Sequence, residues 1–311
     1  MKSERRIILL GPQPRYESLN LAIERLQIKG PVALITAGWE EDEPEDGDLK
    51  SSLSVPAVNL RLFARTEQLF TFDRELIQQL QNRQDELRHL RDAYRIRLKH
   101  ALASARDMFS RQDPLIDLDP ERESAIEMVR ILDRQYFLRT SQVVHDYEKK
   151  LQIASRPLVI KHRREVQKLL HNVEAILISG GHAAIILNRL RFFNVCQVKR
   201  RLPIIAWSGG AMALAEQIVF FHDHPPQGSG NPEVLRAGLG MVDRILPLPD
   251  ARARLDLNNP IGVTLFARRF DRFNCVVLDE RSILDRMAGH WWFSEGTEKL
   301  DQAGRLAGLN T

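Results

Sequence analysis

Cysteine is scarce in this 311-residue sequence, and long hydrophobic runs are missing from it. The two cysteines, Cys196 and Cys275, both sit among apolar residues, which favours buried free thiols over a disulfide framework. No stretch approaches the roughly 18 consecutive apolar residues of a membrane span. The apolar run from Ile7 to Leu10 is also too short for the core of a signal peptide. We therefore expect a cytoplasmic protein with no membrane partner.

An excess of charge of one sign is missing as well. The formal net charge is +4 and the charges are spread along the chain, so a nucleic-acid partner is not indicated. Hydrophobic residues are 43% and charged residues 28% of the chain, which is ordinary for a globular protein with a sizeable core. His222 and His224 flank Asp223 as a conceivable metal pair, but a third ligand is not evident. We therefore expect no metal and no cofactor.

Apolar runs and amphipathic segments alternate at both ends of the chain. Continuous apolar runs predict buried strands, at 7–10, 32–36, 175–179, 202–206 and 274–278, with further candidates at 58–63, 244–248 and 261–266. Helices are predicted between them, at 17–28, 183–190 and 211–219. The acidic stretch from Glu40 to Asp48 is expected to be a loop. This alternation predicts an α/β fold, a flavodoxin-like three-layer sandwich with a mostly parallel sheet.

A different pattern fills the middle of the chain. Between 73 and 111 there is no proline or glycine, and apolar residues recur mostly at spacings of three, four or seven, which predicts one helix of roughly 55 Å. Asp119 is predicted as the N-cap of a second long helix that ends near 155, with Pro120 at its first position. A shorter helix is predicted at 160–171, and it leads back to the second α/β segment. The two long helices predict a hairpin that stands off the sheet.

These patterns divide the chain into three parts. The first part of the α/β domain is predicted at 1–70, a helical hairpin insertion at 71–171, and the second part of the α/β domain at 172–311. The apolar stripe of the hairpin must be buried. The hairpin is therefore expected to be a lid over a site, an arm for homo-oligomerisation, or an arm that binds a protein partner.

Two of the predicted strands end in paired glycines, Gly180-Gly181 and Gly209-Gly210. The second pair follows Trp207-Ser208, which has the form of a nucleophile elbow, a sharp strand-to-helix turn that displays a serine hydroxyl. The N–H groups of Gly209 and Gly181 are candidate donors to an oxyanion. The alternative is that both glycine pairs merely allow close packing of strand and helix.

The Ser208 turn and the segments around it resemble the peptidase E and cyanophycinase family of serine peptidases, in the class I glutamine-amidotransferase-like superfamily. The matching segments are Gly180-Gly181, Ala206 to Ala211, Gly238 to Met241, Arg252 to Leu255 and Val276 to Leu284, the last predicted to enter a helix. The resemblance covers roughly 1–65 and 172–290, and the helical hairpin has no counterpart in the family core. It implies that Ser208 is the nucleophile, that Glu280 is the acidic member of a triad, and that the substrate is a small peptide or isopeptide.

The family histidine is missing. Leu248 stands at its position, and a leucine cannot accept the serine proton, which in a triad removes several orders of magnitude of rate. His182 follows the Gly180-Gly181 turn and is the best replacement. His222 and His224 are expected at the far end of the elbow helix, about 15 Å from the serine. His290, before Trp291-Trp292, is expected to be a packed neutral histidine.

Arg252 and Arg254 are candidates for binding a substrate carboxylate, with ion pairs to the acidic loop as the alternative. Three functions stay open. The first is a serine hydrolase, and the second is a catalytically degenerate relative that binds a small peptide-like ligand, or a partner through the helical arm. The third, a glutamine amidotransferase, ranks last because that chemistry uses a cysteine at the elbow.

Overall fold

The computed structural model describes residues 5–197, 202–223 and 230–309. The chain begins with β1 (Ile7–Leu10), α1 (Glu17–Arg25), β2 (Val32–Ile35), α2 (Gly47–Ser52), β3 (Ala57–Asn59) and α3 (Leu62–Phe72). Two long helices and a shorter one follow, α4 (Arg74–Ser110), α5 (Asp119–Leu151) and α6 (Pro157–His171).

Strands and helices alternate again after α6. These elements are β4 (Ala175–Ile178), α7 (Ala183–Phe192), β5 (Ile204–Trp207), α8 (Gly209–Leu214), β6 (Gln217–Phe220), β7 (Glu233–Ala237), β8 (Ile245–Pro249), α9 (Ala251–Arg254), α10 (Pro260–Arg269) and β9 (Asn274–Leu278). Short strands end the chain, namely β10 (Ile283–Met287), β11 (His290–Phe293), β12 (Glu298–Leu300) and β13 (Leu306–Gly308).

The largest sheet has seven strands in the order β11-β10-β1-β5-β4-β2-β3. Strands β1 to β5 pair in parallel, whereas β10 and β11 add an antiparallel edge. Alternate residues of β1 enter different apolar clusters, with Ile8 beside α1 residues and Ile7 beside residues of α6 and α7. Both faces of the sheet are therefore covered, which confirms a mixed α/β structure with a mostly parallel central sheet.

Two smaller sheets lie outside the central one. The first has the order β13-β12-β9-β8, in which β8 and β9 pair in parallel. The second is the antiparallel ribbon of β6 and β7. The strands predicted at 7–10, 32–36, 175–179, 202–206, 244–248 and 274–278 are confirmed to within two residues at each end.

Two segments have the opposite secondary structure to the one predicted. Residues 261–266 belong to a helix, because the Asn259 side chain accepts a hydrogen bond from the Gly262 N–H at 2.9 Å and Pro260 begins α10. The predicted helix at 211–219 ends at Leu214, where Ala215 becomes extended. Ile218 and Val219 then form a strand, because β-branched side chains pack well on a pleated surface.

Several boundaries also differ from the prediction. The acidic stretch is not a loop, since 37–42 forms a 3₁₀ segment and 47–52 forms α2. The strand predicted at 58–63 is β3, at Ala57–Asn59, and α3 begins at Leu62. Asp119 is the first helical residue of α5 rather than its cap, which is Leu118. Ser282-Ile283-Leu284 leads into a strand, not a helix.

A buried polar cluster fixes the two long helices to the body of the protein. The Tyr94 hydroxyl of α4 donates to Asp133 Oδ1 of α5 at 2.8 Å, and the ring of Tyr94 stacks on that of Tyr136. Arg269 of α10 donates to both oxygens of Asp133, at 2.6 and 2.7 Å, and to the Tyr94 oxygen at 2.9 Å. Both long helices therefore contact α10 at this cluster.

Breaking this cluster is expected to destabilise the protein. Asp133→Ala leaves the guanidinium of Arg269, whose side chain is 2% exposed, without its carboxylate. We expect the free energy of unfolding to fall by about 3 kcal/mol in urea denaturation, because an unpaired buried charge is costly. The control is Asp85→Ala, which removes the exposed partner of Arg88 on α4 and should cost less than about 1 kcal/mol. Equal losses in the two variants would contradict a structural role for the buried cluster.

Candidate functional site

Ser208 occupies the turn between β5 and α8. Its backbone angles are φ 50° and ψ −119°, in a region that residues other than glycine rarely adopt. Two hydrogen bonds hold the turn. The Ser208 N–H donates to the carbonyl of Leu10 on the neighbouring strand at 3.2 Å, and the Ser208 carbonyl accepts from the Met212 N–H at 3.1 Å. This strained strand-to-helix turn has the backbone form of a nucleophile elbow.

Neighbouring backbone leaves no room for side chains around this turn. A Cβ on Gly209 would lie 2.2 Å from the carbonyl oxygen of Gly181, and one on Gly210 would lie 2.6 Å from the carbonyl oxygens of Ile178 and Ser179. The turns after β4 and β5 are therefore in direct contact, which only glycine permits. The glycine pairs do allow close packing, and that packing holds Ser208 in place.

A third turn contributes to the same edge of the sheet. Gly181 has φ 104°, and a Cβ on it would lie 2.3 Å from the carbonyl oxygen of Gly38, in the turn after β2. That oxygen accepts the His182 N–H at 2.9 Å. Within the described residues, the N–H groups of Gly181 and Gly209 make no hydrogen bond. Both glycines line the cleft described next, so these donors are available to a ligand.

A cleft of about 1120 Å³ opens above Ser208. Turns at the carboxyl ends of the parallel strands form one side, where an open α/β sheet normally binds its ligands. Helix α4 forms another side, through Arg91, Arg95, Leu98 and Lys99. One helix of the hairpin therefore forms a wall of this cleft.

Among the described residues, two histidines line the cleft together with Ser208. His182 is exposed, and its ring lies edge-to-face with that of Phe220 at a centroid distance of 6.3 Å. His222, expected far from the serine, also lines the cleft because α8 is short and β6 leads the chain back. The Nδ1 atom of His222 is buried and makes no hydrogen bond in the described part of the chain. His224 lies outside the described residues.

The other sequence-predicted members of a triad are not brought together. Glu280 is exposed and is not among the described residues that line the cleft, and its carbonyl accepts from the Ser18 hydroxyl at 2.8 Å. Leu248 is fully buried in β8. His290, expected to be packed, is exposed on β11. Ser208 Oγ makes no hydrogen bond to residues in the described ranges, although catalytic hydrogen bonds often tighten only when substrate is bound.

The two candidate substrate-binding arginines have different surroundings. Arg252 Nε donates to Asp279 at 2.9 Å, and its Nη2 atom also donates to Glu298, so the guanidinium is occupied away from the cleft. The hydrogen bond to Asp279 raises the pKa of Arg252. Arg254 lines the cleft, with a carboxylate oxygen of Asp250 at 3.9 Å from its Nε atom. The structure therefore brings Arg254, but not Arg252, to the site.

Sequence reasoning missed several charged residues of the cleft. Asp250 follows β8 directly, so the rule that pointed to Ser208 at a strand end also pointed to Asp250. Glu233 forms ion pairs with Arg91 and Arg95 at 3.0 and 2.7 Å. No sequence signal identifies the α4 side chains, because their position depends on how the hairpin docks.

The two thiols are unsuited to nucleophilic chemistry. Burial raises the pKa of Cys275 to about 12 and that of Cys196 to about 11. Neither is among the described residues that line the cleft. A thiolate at the elbow, as glutamine amidotransferases need, is therefore not provided by these cysteines.

Comparison with known proteins adds no family to this geometry. No protein-family model matches the chain, and no curated protein does. In the described ranges, no group of three or more His, Cys, Asp or Glu side chains is arranged to hold a metal ion. No helix in the same ranges is long and apolar enough to cross a membrane. The resemblance to peptidase E therefore rests on the sequence motifs alone.

The contact between the two glycine turns can be tested by Gly209→Ala. The added methyl group would lie 2.2 Å from the Gly181 carbonyl oxygen, so one of the turns must move. We expect the free energy of unfolding to fall by about 1–3 kcal/mol, as for overpacking elsewhere. Gly47→Ala is the matched control, because nothing lies within 4 Å of its added Cβ. Urea denaturation of both variants is the measurement, and unchanged stability in Gly209→Ala would refute the contact.

Proposed function

We propose that this protein is a serine hydrolase that cleaves small acidic peptides or isopeptides, with Ser208 as the nucleophile. The observation that carries the proposal is the backbone of Ser208, held at φ 50° and ψ −119° at the edge of a large cleft. Such strain persists only where surrounding structure enforces it, and it concentrates at functional sites.

The cleft contains the groups that acyl transfer requires. Ser208 Oγ attacks the carbonyl carbon of the substrate, and the N–H groups of Gly181 and Gly209 stabilise the developing oxyanion. His182 or His222 accepts the serine proton and later protonates the leaving amine. Both imidazoles line the cleft. Leu248, which stands at the position of the family histidine, is buried in β8 and supplies no base.

The charges of the cleft favour an acidic substrate. Among the described lining residues, four cations, Arg91, Arg95, Lys99 and Arg254, outnumber two carboxylates, Glu233 and Asp250. Glu233 forms ion pairs with both Arg91 and Arg95. Arg254 and Lys99 also line the cleft, and the closest carboxylate oxygen paired with Arg254 is 3.9 Å away. A substrate carboxylate can pair with these two cations. This supports an acidic member of the substrate class that the resemblance implies, a small peptide or isopeptide.

The order of the parallel strands supports a flavodoxin-like fold. Counted from β2, the five parallel strands follow the order 2-1-3-4-5 of flavodoxin-like sheets, with β1 in the fifth place. We infer a flavodoxin-like domain of the peptidase E type into which the α4–α5 hairpin is inserted. The hairpin enters between β3 and β4, which lie on either side of β2 in the sheet.

A second candidate function is ligand or partner binding without catalysis. It is favoured by the buried Leu248 and by Ser208 Oγ, which makes no hydrogen bond to a histidine in the described residues. Large apolar side chains on the outer surface of the hairpin, Ile96, Met128 and Leu138, are more than half exposed and suit a protein partner or a second copy of the chain.

Labelling with a fluorophosphonate probe tests the proposed nucleophile. We expect wild-type protein to be labelled and Ser208→Ala to be unlabelled, with loss of hydrolysis across a panel of aspartyl and isoaspartyl dipeptides. Ser179→Ala is the control, because Ser179 is buried in the adjacent turn and should not react. Replacing the catalytic histidine by alanine should lower kcat/KM by several orders of magnitude, which separates His182 from His222.

Labelling that persists in Ser208→Ala would contradict the assignment. An unlabelled wild-type protein that hydrolyses no dipeptide, yet is stabilised against thermal unfolding by one, would favour the binding function instead. In that case Ser208→Ala should retain the stabilisation, since binding does not need the hydroxyl as a nucleophile.

A further inference from the structure

A second cavity, of about 830 Å³, lies at the other side of the helical hairpin. No described residue lines both this cavity and the Ser208 cleft. Among the described residues, five arginines from four elements line it, namely Arg83 of α4, Arg163 of α6, Arg189 and Arg191 of α7, and Arg236 of β7. Glu148 is the one acidic side chain among the described lining residues. We call this space the arginine cavity.

The positive charges of the arginine cavity are mostly without carboxylate partners. Arg236 is 8% exposed, and its guanidinium group donates to Asn188 Oδ1 at 3.1 Å. Arg163 donates to the carbonyl of Phe192, and Arg191 to those of Ala237 and Gly238. These acceptors are uncharged, so they satisfy hydrogen bonds without neutralising the guanidinium groups.

The remaining two arginines strengthen this imbalance. The Nε atom of Arg83 is buried and makes no hydrogen bond to the described residues. Arg189 has Glu67 at 3.5 Å, but its Nε atom is also buried and unpaired. The Ser141 hydroxyl, another lining group, is buried and unpaired too. The cavity therefore gathers several hydrogen-bond donors that lack acceptors.

Such an arrangement is costly for the empty protein. A buried charge without a partner loses its hydration without compensation from the protein. Burial, together with the like charges of Arg83 and Arg191, lowers the pKa of Arg236 to about 10. An anion in the cavity would relieve both effects, because it would supply acceptors and opposite charge at once.

We propose that the arginine cavity binds a small molecule that carries two or more phosphate groups. Guanidinium groups pair with phosphate oxygens through two parallel hydrogen bonds, and the surplus of four positive charges over Glu148 exceeds what a single carboxylate can offset. Leu80, Val144 and Ile153 also line the cavity and provide an apolar side for an organic group. This site is independent of Ser208 and of the proposed hydrolase activity.

Isothermal titration calorimetry of the full chain with sodium pyrophosphate, ADP and adenosine tests the proposal. We expect pyrophosphate and ADP to bind, and adenosine, which has no phosphate, not to bind. Tighter binding of ADP than of pyrophosphate would show that the apolar side holds an organic group, whereas equal binding would identify the phosphates as the whole determinant. The absence of binding by both phosphate compounds, or equal binding of adenosine, would overturn the proposal.

Variants separate a built site from non-specific attraction of anions. Arg236→Met and Arg83→Gln should each weaken pyrophosphate binding about tenfold or more. Arg236→Met should also raise the melting temperature of the ligand-free protein, because it removes an uncompensated buried charge. Arg134→Met is the control, because Arg134 is exposed on α5 and is not among the described residues that line the cavity. The affinity of this variant for pyrophosphate should equal that of the wild type. Equal weakening in Arg134→Met would overturn the assigned site, and Arg83→Gln keeps the test decisive if Arg236→Met does not fold.

Discussion

Close contact between two backbone turns determines how Ser208 is presented. The turns after β4 and β5 approach until a Cβ on Gly209 would lie 2.2 Å from the Gly181 carbonyl oxygen. The Ser208 N–H is bound to the carbonyl of Leu10, and the Ser208 carbonyl is bound to the N–H of Met212. These two hydrogen bonds hold Ser208 at a positive φ. The strain is therefore imposed by packing of the sheet edge, where Gly181 and Gly209 line the cleft and their N–H groups make no hydrogen bond to the described residues.

Helix α4 connects this site with the rest of the molecule. Its Arg91 and Lys99 line the Ser208 cleft, whereas Arg83, about two turns earlier, lines the arginine cavity. Tyr94 lies between Arg91 and Lys99 on α4 and is tied through Asp133 to the buried Arg269. Both cavities therefore depend on the docking of one helix.

Local sequence patterns predicted the strands, helices and turns that depend on interactions between residues close together in the chain. Buried parallel strands such as β1 and β5 read as uninterrupted apolar runs, α4 as a long segment without proline or glycine, and the elbow as a serine before paired glycines. The pattern at 261–266 was misread because apolar runs of this length suit strand and helix alike, and the Asn259 cap decided the outcome. His222 in the cleft, Arg252 bound to Asp279 and the α4 wall all depend on tertiary packing, which residue spacing does not encode.

Packing forces Ser208 into a backbone conformation that costs free energy in the folded state. The most direct measurement compares the free energies of unfolding of Ser208→Gly and Ser208→Ala in urea. Both remove the hydroxyl, but only glycine adopts φ 50° and ψ −119° without strain, so Ser208→Gly should be more stable by about 1 kcal/mol despite its more flexible unfolded chain. If Ser208→Ala is equally stable or more stable, residue 208 carries no such strain, and the account of the elbow is contradicted.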